Sequence, residues 1–428
     1  MIIHVVQPGE TITSIAELYN LPADRIILEN EIKNPSNLAI GQTIVIVYPL
    51  LTHTVQEGET LESIAVMHDV TIMQILRNNP YLSDRNNLYT GETITITNET
   101  DKIGSLSVGG YVSSYVDRNI LRKTLPFLTF LTVFDYRVDA NGNINVLNDQ
   151  DIVNMAKEYG VFPMMLVSTI SERGVGSLET ALAILNNPDA QDNMIDNIIA
   201  TIKAKGFYGL NQYFQYIYPE TKNLIESFII KMSTRLKNEG LRYTVTVTPR
   251  VDIERTEITY ETIDYSAIYQ YVDAILLLSY EWGYSLEPPT SVTPINIVRE
   301  TINQAVNMAP PDKFVLGMPV IGYDWELPYI PGYTVANAIT FDIAIQIAAD
   351  NGVPIQFSEV AAASYFFYYN VDGTLHNIWF KDARSIDRLT RLIPEYGLQG
   401  VSIWNNMYFF AQMWLVINNL YDIEKLEF

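Results

Sequence analysis

The sequence predicts an α/β chain: two small βααβ units, then a (β/α)8 barrel of the TIM type with a small α+β insertion between its seventh and eighth strands. Two observations carry that expectation. The first hundred residues contain an internal repeat, and the remainder alternates eight apolar runs with helix-length amphipathic segments. The 428 residues suffice for two or three domains. The boundaries fall at 1–49, 50–98 and 104–428, with the insertion at about 326–376.

The repeat comes first. "HVVQPGETITSIAELYNL" begins at His4 and "HTVQEGETLESIAVMHDV" at His53; each half closes on a matching stretch, "NLAIGQTIVI" from Asn37 and "NLYTGETITI" from Asn87. A short strand (Ile2 to Val6; Leu51 to Val55) leads into a turn at Pro8-Gly9 or Glu57-Gly58. Thr11 and Thr60 then stand where a helix cap belongs, because a hydroxyl there can accept from an orphan N–H of the first turn. A second helix and a closing strand complete each unit. This repeat resembles tandem LysM modules, which bind N-acetylglucosamine-containing polymers such as peptidoglycan and chitin. The resemblance implies a shallow groove made by Gly9, Glu10, Thr11 and Ile12 with Asn37 and Leu38. In the second unit the same groove falls to Gly58, Glu59, Thr60 and Leu61 with Asn87 and Leu88.

After the polar link "TNETDKIG" the barrel strands follow in order: "SLSVGGYVSSY", "LTFLTVFDYRV", "FPMMLVS", "GFYGLNQYFQ", "LRYTVTVTP", "DAILLLSYEW", "KFVLGMPVIGY" and "LQGVSIW". Helix-length segments such as 192–205 and 221–238 separate most of them. Eight strands at regular spacing favour a closed barrel over an open sheet, and the chemistry of such barrels sits at the carboxyl ends of the strands. Those ends are aromatic here: Tyr136, Tyr213, Tyr280 with Trp282, Tyr323 with Trp325, and Trp404. Flat apolar rings pack against the C–H faces of pyranose sugars, so this pattern predicts a sugar-lined cleft. Glu281 and Asp324 are the carboxylates beside it.

Composition narrows the partners. Acidic residues outnumber basic ones 49 to 27, a net charge of −22, and no Lys/Arg-rich stretch interrupts it, so neither nucleic acid nor an anionic membrane is an expected partner. The chain has no cysteine, which excludes thiolate metal sites and thiol catalysis. Its four histidines lack metal-ligand spacing, and no metal or other cofactor is expected. No basic-then-apolar leader opens the sequence, and no apolar run approaches the ~20 residues needed to span a bilayer.

Four stretches, "LSYEWGYSLEPPTSVTPI", "LGMPVIGYDWELPYIPGY", "HNIWFKDARSI" and "YGLQGVSIWN", resemble the family 18 glycoside hydrolases. More narrowly they resemble the LysM-bearing spore-cortex-lytic N-acetylglucosaminidases, over essentially the whole chain. The resemblance implies substrate-assisted hydrolysis, outside the two-carboxylate rule. A Glu ending the fourth strand, last in the motif D-x-x-D-x-D-x-E, protonates the leaving oxygen. The substrate's acetamido oxygen attacks the anomeric carbon, steered by the Asp two residues earlier. Aligned without a gap on "GFYGLNQYFQYIYPE", the four positions are Tyr208, Asn211, Tyr213 and Gln215. None is a carboxylate, and an amide cannot deliver the proton whose transfer contributes roughly 10²–10⁴-fold. Ile321 departs again where the relatives carry Tyr.

The sequence reading is therefore a catalytically inactive protein, without catalytic residues, that binds peptidoglycan or another N-acetylglucosamine-containing glycan through its LysM modules. By the same resemblance it would be spore-associated, made in the mother cell, with itself or other spore-coat proteins as further partners. Two alternatives stand beside it: a divergent cortex hydrolase using Glu281 or another carboxylate, and a self-assembling coat or appendage subunit.

Overall fold

A computed structural model describes residues 1–83, 85, 87–100, 102–169, 177–214, 221–252, 257–260, 264–278 and 285–426. Each N-terminal unit is a two-stranded antiparallel ribbon with two helices laid on it. In the first, Ile2–Val5 pairs with Thr43–Ile46 and the helices are Ile12–Tyr19 and Ala23–Asn30. In the second, Pro49–Thr54 pairs with Thr93–Asn98 around helices Leu61–Met67 and Ile72–Asn78. Thr11 and Thr60 cap the first helices as expected: each hydroxyl accepts from the N–H three residues on, and Ser14 or Ser63 reciprocates. Each unit has its own core, Ile15, Ile26, Ile44 and Ile46 in the first and Ile64, Ile75, Ile94 and Ile96 in the second.

The barrel strands are Gly104–Val112, Phe130–Arg137, Phe162–Ser168, Gly209–Tyr213, Arg242–Val247, Ala274–Leu278, Phe314–Pro319 and Gly400–Trp404. All eight predicted runs form them. Every neighbouring pair is parallel, and strand 8 returns to strand 1 through Val401↔Val108 and Ser402↔Gly109, closing the ring. Closure demands close backbone approach there: a Cβ on Gly109 would fall 2.7 Å from Ser402 Oγ, and one on Gly400 only 2.3 Å from Ser107 O.

The insertion is a five-stranded antiparallel sheet, in spatial order 337–339, 322–326, 375–380, 363–369, 356–358, backed by helix Phe341–Asn351. It runs from Gly322 to Phe380, a little beyond the expected 326–376, because "GYDWE" and "LHNIWF" pair with each other as strands.

One helix departs from the amphipathic expectation. All ten residues of Ala411–Leu420 are buried, because the helix is enclosed by the barrel on one side and both N-terminal units on the other. Gln412 locks the first unit in place: Thr43 Oγ1 donates to its Oε1 at 2.7 Å, and its Nε2 donates to Thr43 O at 2.6 Å. Asn418 Nδ2 donates to Asn78 Oδ1 of the second unit at 2.9 Å. The turn before the first unit's closing strand also rests on the insertion, where Ile355 N donates to Ile40 O at 2.8 Å. Ala39, Val45 and Val47 consequently belong to the main core of the barrel.

Candidate active site

The carboxyl ends of the strands converge on an aromatic and aliphatic cluster: Tyr111, Phe134, Leu166, Tyr213, Leu278 and Trp404. Trp404, the last residue of strand 8, is half-buried. Its ring lies 4.8 Å from that of Phe134 and 5.4 Å from that of Tyr111, so neighbours on strands 2 and 1 hold its orientation. This is the floor of the barrel mouth.

Strand 4 follows the period of a strand, so Asn211 and Tyr213 face inward and Gln212 faces out to accept from Tyr243 Oη at 2.7 Å. Asn211 is buried in a polar network: its Nδ2 donates to Thr244 Oγ1 at 2.9 Å, and its Oδ1 accepts from Thr246 Oγ1 at 2.7 Å. Tyr213 Oη and Thr248 Oγ1 share a hydrogen bond of 3.1 Å. Tyr111 joins through Thr246 and Ser402, and burial pushes its hydroxyl up to about 12. These groups are uncharged near neutral pH. Tyr208 lies elsewhere, at the amino end of strand 4, edge-on to Phe162 with centroids 4.3 Å apart. Gln215 falls outside the described residues, as do Tyr280, Glu281 and Trp282. Beneath the network a cavity of about 50 Å³ lies among Thr132, Asn211, Thr244 and Arg242. It is far below the ~300 Å³ of the smallest ligand sites and is a packing void.

Four expected cleft residues are placed differently. Strand 2 carries a β-bulge between Val133 and Tyr136: two residues there oppose one on strand 3. The extra residue flips the alternation, so Tyr136 points out into the helix layer, fully buried, where its hydroxyl donates to Asp149 at 2.7 Å. Tyr323, Asp324 and Trp325 lie on the insertion sheet rather than at the barrel rim. Tyr323 and Trp325 pack with Val292 and Ala336, and Trp325 Nε1 donates to Glu287 O at 2.9 Å. Asp324 faces the opposite side of that sheet, buried, accepting from Tyr368 Oη at 2.8 Å and bonded to His376 Nδ1 at 2.9 Å. Both its oxygens are committed.

The same bulge brings Asp135, which the sequence reading passed over, to the mouth. Its Oδ2 accepts from Ser114 N at 2.8 Å, from Ser114 Oγ at 3.1 Å and from Ser113 Oγ, all just beyond strand 1. Three donors on one oxygen fix the carboxylate's orientation at the rim. Nothing in the residue pattern announces this, because a bulge breaks the period from which inward positions are counted.

In the N-terminal units Gly9 and Gly58 take φ of +84° and +83° with open space around them, and Asn37 and Asn87 are exposed. Leu38, Leu61 and Leu88 are half-buried, packed on the unit cores. Ile12 is buried in the core of its unit and offers little surface to a ligand. Glu10 is spent on the turn: its Oε2 accepts from Gln7 N at 2.7 Å and bonds His4 Nε2 at 2.8 Å. Glu59 repeats this with Gln56 N and His53 Nε2, both at 2.7 Å. Those backbone N–H groups hold both carboxyls below their usual range, with the histidines adding to the effect. The shared spacing in "HVVQPGE" and "HTVQEGE" was a signal for these pairs.

Comparisons with known proteins fit this geometry. The model of glycosyl hydrolases family 18 matches residues 174–408, and the LysM domain model matches 4–47 and 53–97. The cortical fragment-lytic enzyme of Bacillus subtilis (strain 168) is 32% identical over 434 residues, covering 100% of both chains. That of Bacillus anthracis is 30% identical over 308 residues, covering 72% of this chain and 71% of its own. Among solved structures, the spore cortex-lytic enzyme SleL of Bacillus megaterium QM B1551 has a TM-score of 0.82 at 32% identity, covering 99% of each chain. These relatives are named as enzymes, and in two of the three the match spans the whole chain. That overturns the expectation of a catalytically inactive binding or structural protein. The inference from residues 208, 211, 213 and 215 assumed that one strand must supply the charge, whereas any of eight strand ends opens on the same mouth. Among the described residues, no helix is long and apolar enough to cross a membrane.

Proposed function

Because the chain belongs to glycosyl hydrolases family 18, we propose that it is a glycosidase acting on N-acetylglucosamine-containing glycan of the spore-cortex peptidoglycan. The observation that carries this reading is the end-to-end similarity, in both sequence and fold, to enzymes named for lysing cortex. The two LysM modules hold the glycan, and the protein acts at the spore.

Hydrolysis of a glycosidic bond needs a proton for the leaving oxygen and an attacking group at the anomeric carbon, water finally supplying the hydroxyl. Trp404 offers a ring face on which a sugar can stack. Asn211 and Tyr213 are neutral, so in this reading the charge comes from beyond strand 4. Asp135, a carboxylate held at the mouth by three hydrogen bonds, suits the negative role: holding the acetamido N–H and balancing a developing oxazolinium. The leaving oxygen still needs a proton donor. That role falls to Glu281, three residues beyond the end of strand 6 at Leu278. The test is release of reducing ends from purified cortical fragments by the wild type, Glu281→Gln and Asp135→Asn. Each variant should lose roughly 10²–10⁴-fold in rate. Full activity in Glu281→Gln would remove it as the acid.

A further inference from the structure

Where the first LysM module meets the barrel, the surface is not closed. A cleft of about 270 Å³ opens between Glu31 and Lys33 of the module, Asn119 and Lys123 of the helix after strand 1, Asp342 of the insertion, and Phe409. A smaller cavity adjoins it, sharing Glu31, Lys33 and Asp342 and continuing between Asn34 and Asn37 on one side and Gln346 on the other. Together they approach the size of a ligand site.

Three features bear on what this space is for. The first is position. Tyr408 and Phe409 follow Trp404 by four and five residues, and Tyr408 Oη donates to the carbonyl of Val320, just beyond strand 7. The inner edge of the cleft is therefore the rim of the barrel mouth, while its outer edge is Asn37, on the closing stretch of the module. The second is Asp342. Its carboxylate lines both cavities, has no hydrogen bond or ion pair among the described residues, and burial pushes its pKa up. A half-buried carboxylate without donors is an acceptor awaiting them. The third is rigidity. Glu31 pairs with Lys123 at 3.0 Å, and Gln412 and Ile355 fix the rest of the module, so the walls are held before any ligand arrives.

We propose that this junction cleft is a glycan subsite, through which an N-acetylated sugar strand runs from the barrel mouth toward the first LysM module, with Asp342 accepting from sugar hydroxyl or amide groups. Amide side chains along its outer part, Asn34, Asn37 and Gln346, both donate and accept and so match the hydroxyls and acetamido groups of such a strand. The inference rests on the reading of the chain as a glycan-acting protein, but binding alone tests it. A strand long enough to leave the mouth gains contacts that a short one cannot reach.

The experiment is calorimetric titration of the full chain with chitotriose, chitohexaose and purified cortical fragments. The variants are Asp342→Ala, which removes the acceptor, and Asn119→Trp, which fills the cleft from an exposed helix position. Thermal unfolding checks that each is folded. The wild type should bind the hexamer or the cortical fragments at least tenfold tighter than the trimer, and which of the two gains more identifies the glycan source. Each variant should lose three- to tenfold on the longer ligand and keep its affinity for the trimer. Equal affinity for long and short ligands in the wild type overturns the proposal, as does wild-type affinity for long ligands in a folded Asn119→Trp. A length preference without any cleavage would sink the hydrolase reading and leave the subsite standing.

Discussion

Alanine at Gly41 and alanine at Gly91 make a matched pair, because the repeat places these residues at the same point of its two units. Their φ angles are +85° and +90°, and each N–H donates at 2.8 Å to the residue just after its unit's first strand, Gly41 to Val6 O and Gly91 to Val55 O. A side chain in that region costs about 1–2 kcal/mol at either site. The surroundings then diverge. A Cβ on Gly91 meets nothing within 4 Å, whereas one on Gly41 would fall 2.1 Å from the carbonyl oxygen of Ile355. Backbone cannot yield as a flexible side chain does. Relief means parting the module from the insertion and losing the Ile355 N–H to Ile40 bond, about 1–3 kcal/mol when its groups are left buried. Gly91→Ala should therefore cost about 1–2 kcal/mol and Gly41→Ala about 2–5 kcal/mol. Urea unfolding followed by tryptophan fluorescence measures both, and limited proteolysis shows whether only Gly41→Ala frees the first module. Losses within about 0.5 kcal/mol of each other would refute the rigid docking inferred here, since that is the scatter of independent sites.

Thr11→Ala and Thr60→Ala should each cost about 1 kcal/mol in the same unfolding experiment, because both caps satisfy one N–H at an exposed helix start. Lys381 is buried and donates to Thr293 O at 2.8 Å; burial pulls its pKa from 10.5 down to about 7, against the opposing pull of Asp382. A depressed folded value means stability is complete above the ordinary pKa and lost as pH falls through about 7. Relative to Lys381→Met, the wild type should therefore gain about 2–3 kcal/mol between pH 7 and pH 9, and parallel profiles would contradict this. Trp404→Leu should weaken chitotriose binding about tenfold, equivalent to about 1.4 kcal/mol, if its ring is the sugar platform.

The architecture was legible because it rests on periodicity. The doubled "GET…SIA" pattern gave both modules with their caps, and eight apolar runs gave eight strands in order. The site was legible only where that periodicity held. Asn211, Tyr213 and Trp404 lie at the mouth because their strands alternate without interruption. Tyr136 and Asp135 exchanged places because one extra residue in strand 2 reverses every later side chain, and no local propensity marks it. Asp324 seemed available because sequence gives its strand but not its partners; Tyr368 and His376 come from strands 44 and 52 residues away. The junction cleft was invisible for the same reason, since it exists only where four separate segments meet.

Whether the chain cleaves glycan is the measurement that bears most directly on the account. Wild-type protein incubated with purified cortical fragments, its products followed by reducing-end assay and mass spectrometry, should release fragments ending in N-acetylglucosamine. That release should fall by at least 10²-fold in Glu281→Gln. No product from folded, glycan-binding wild type would contradict the enzymatic reading outright and return the neutral groups at 211 and 213 to the centre of the question.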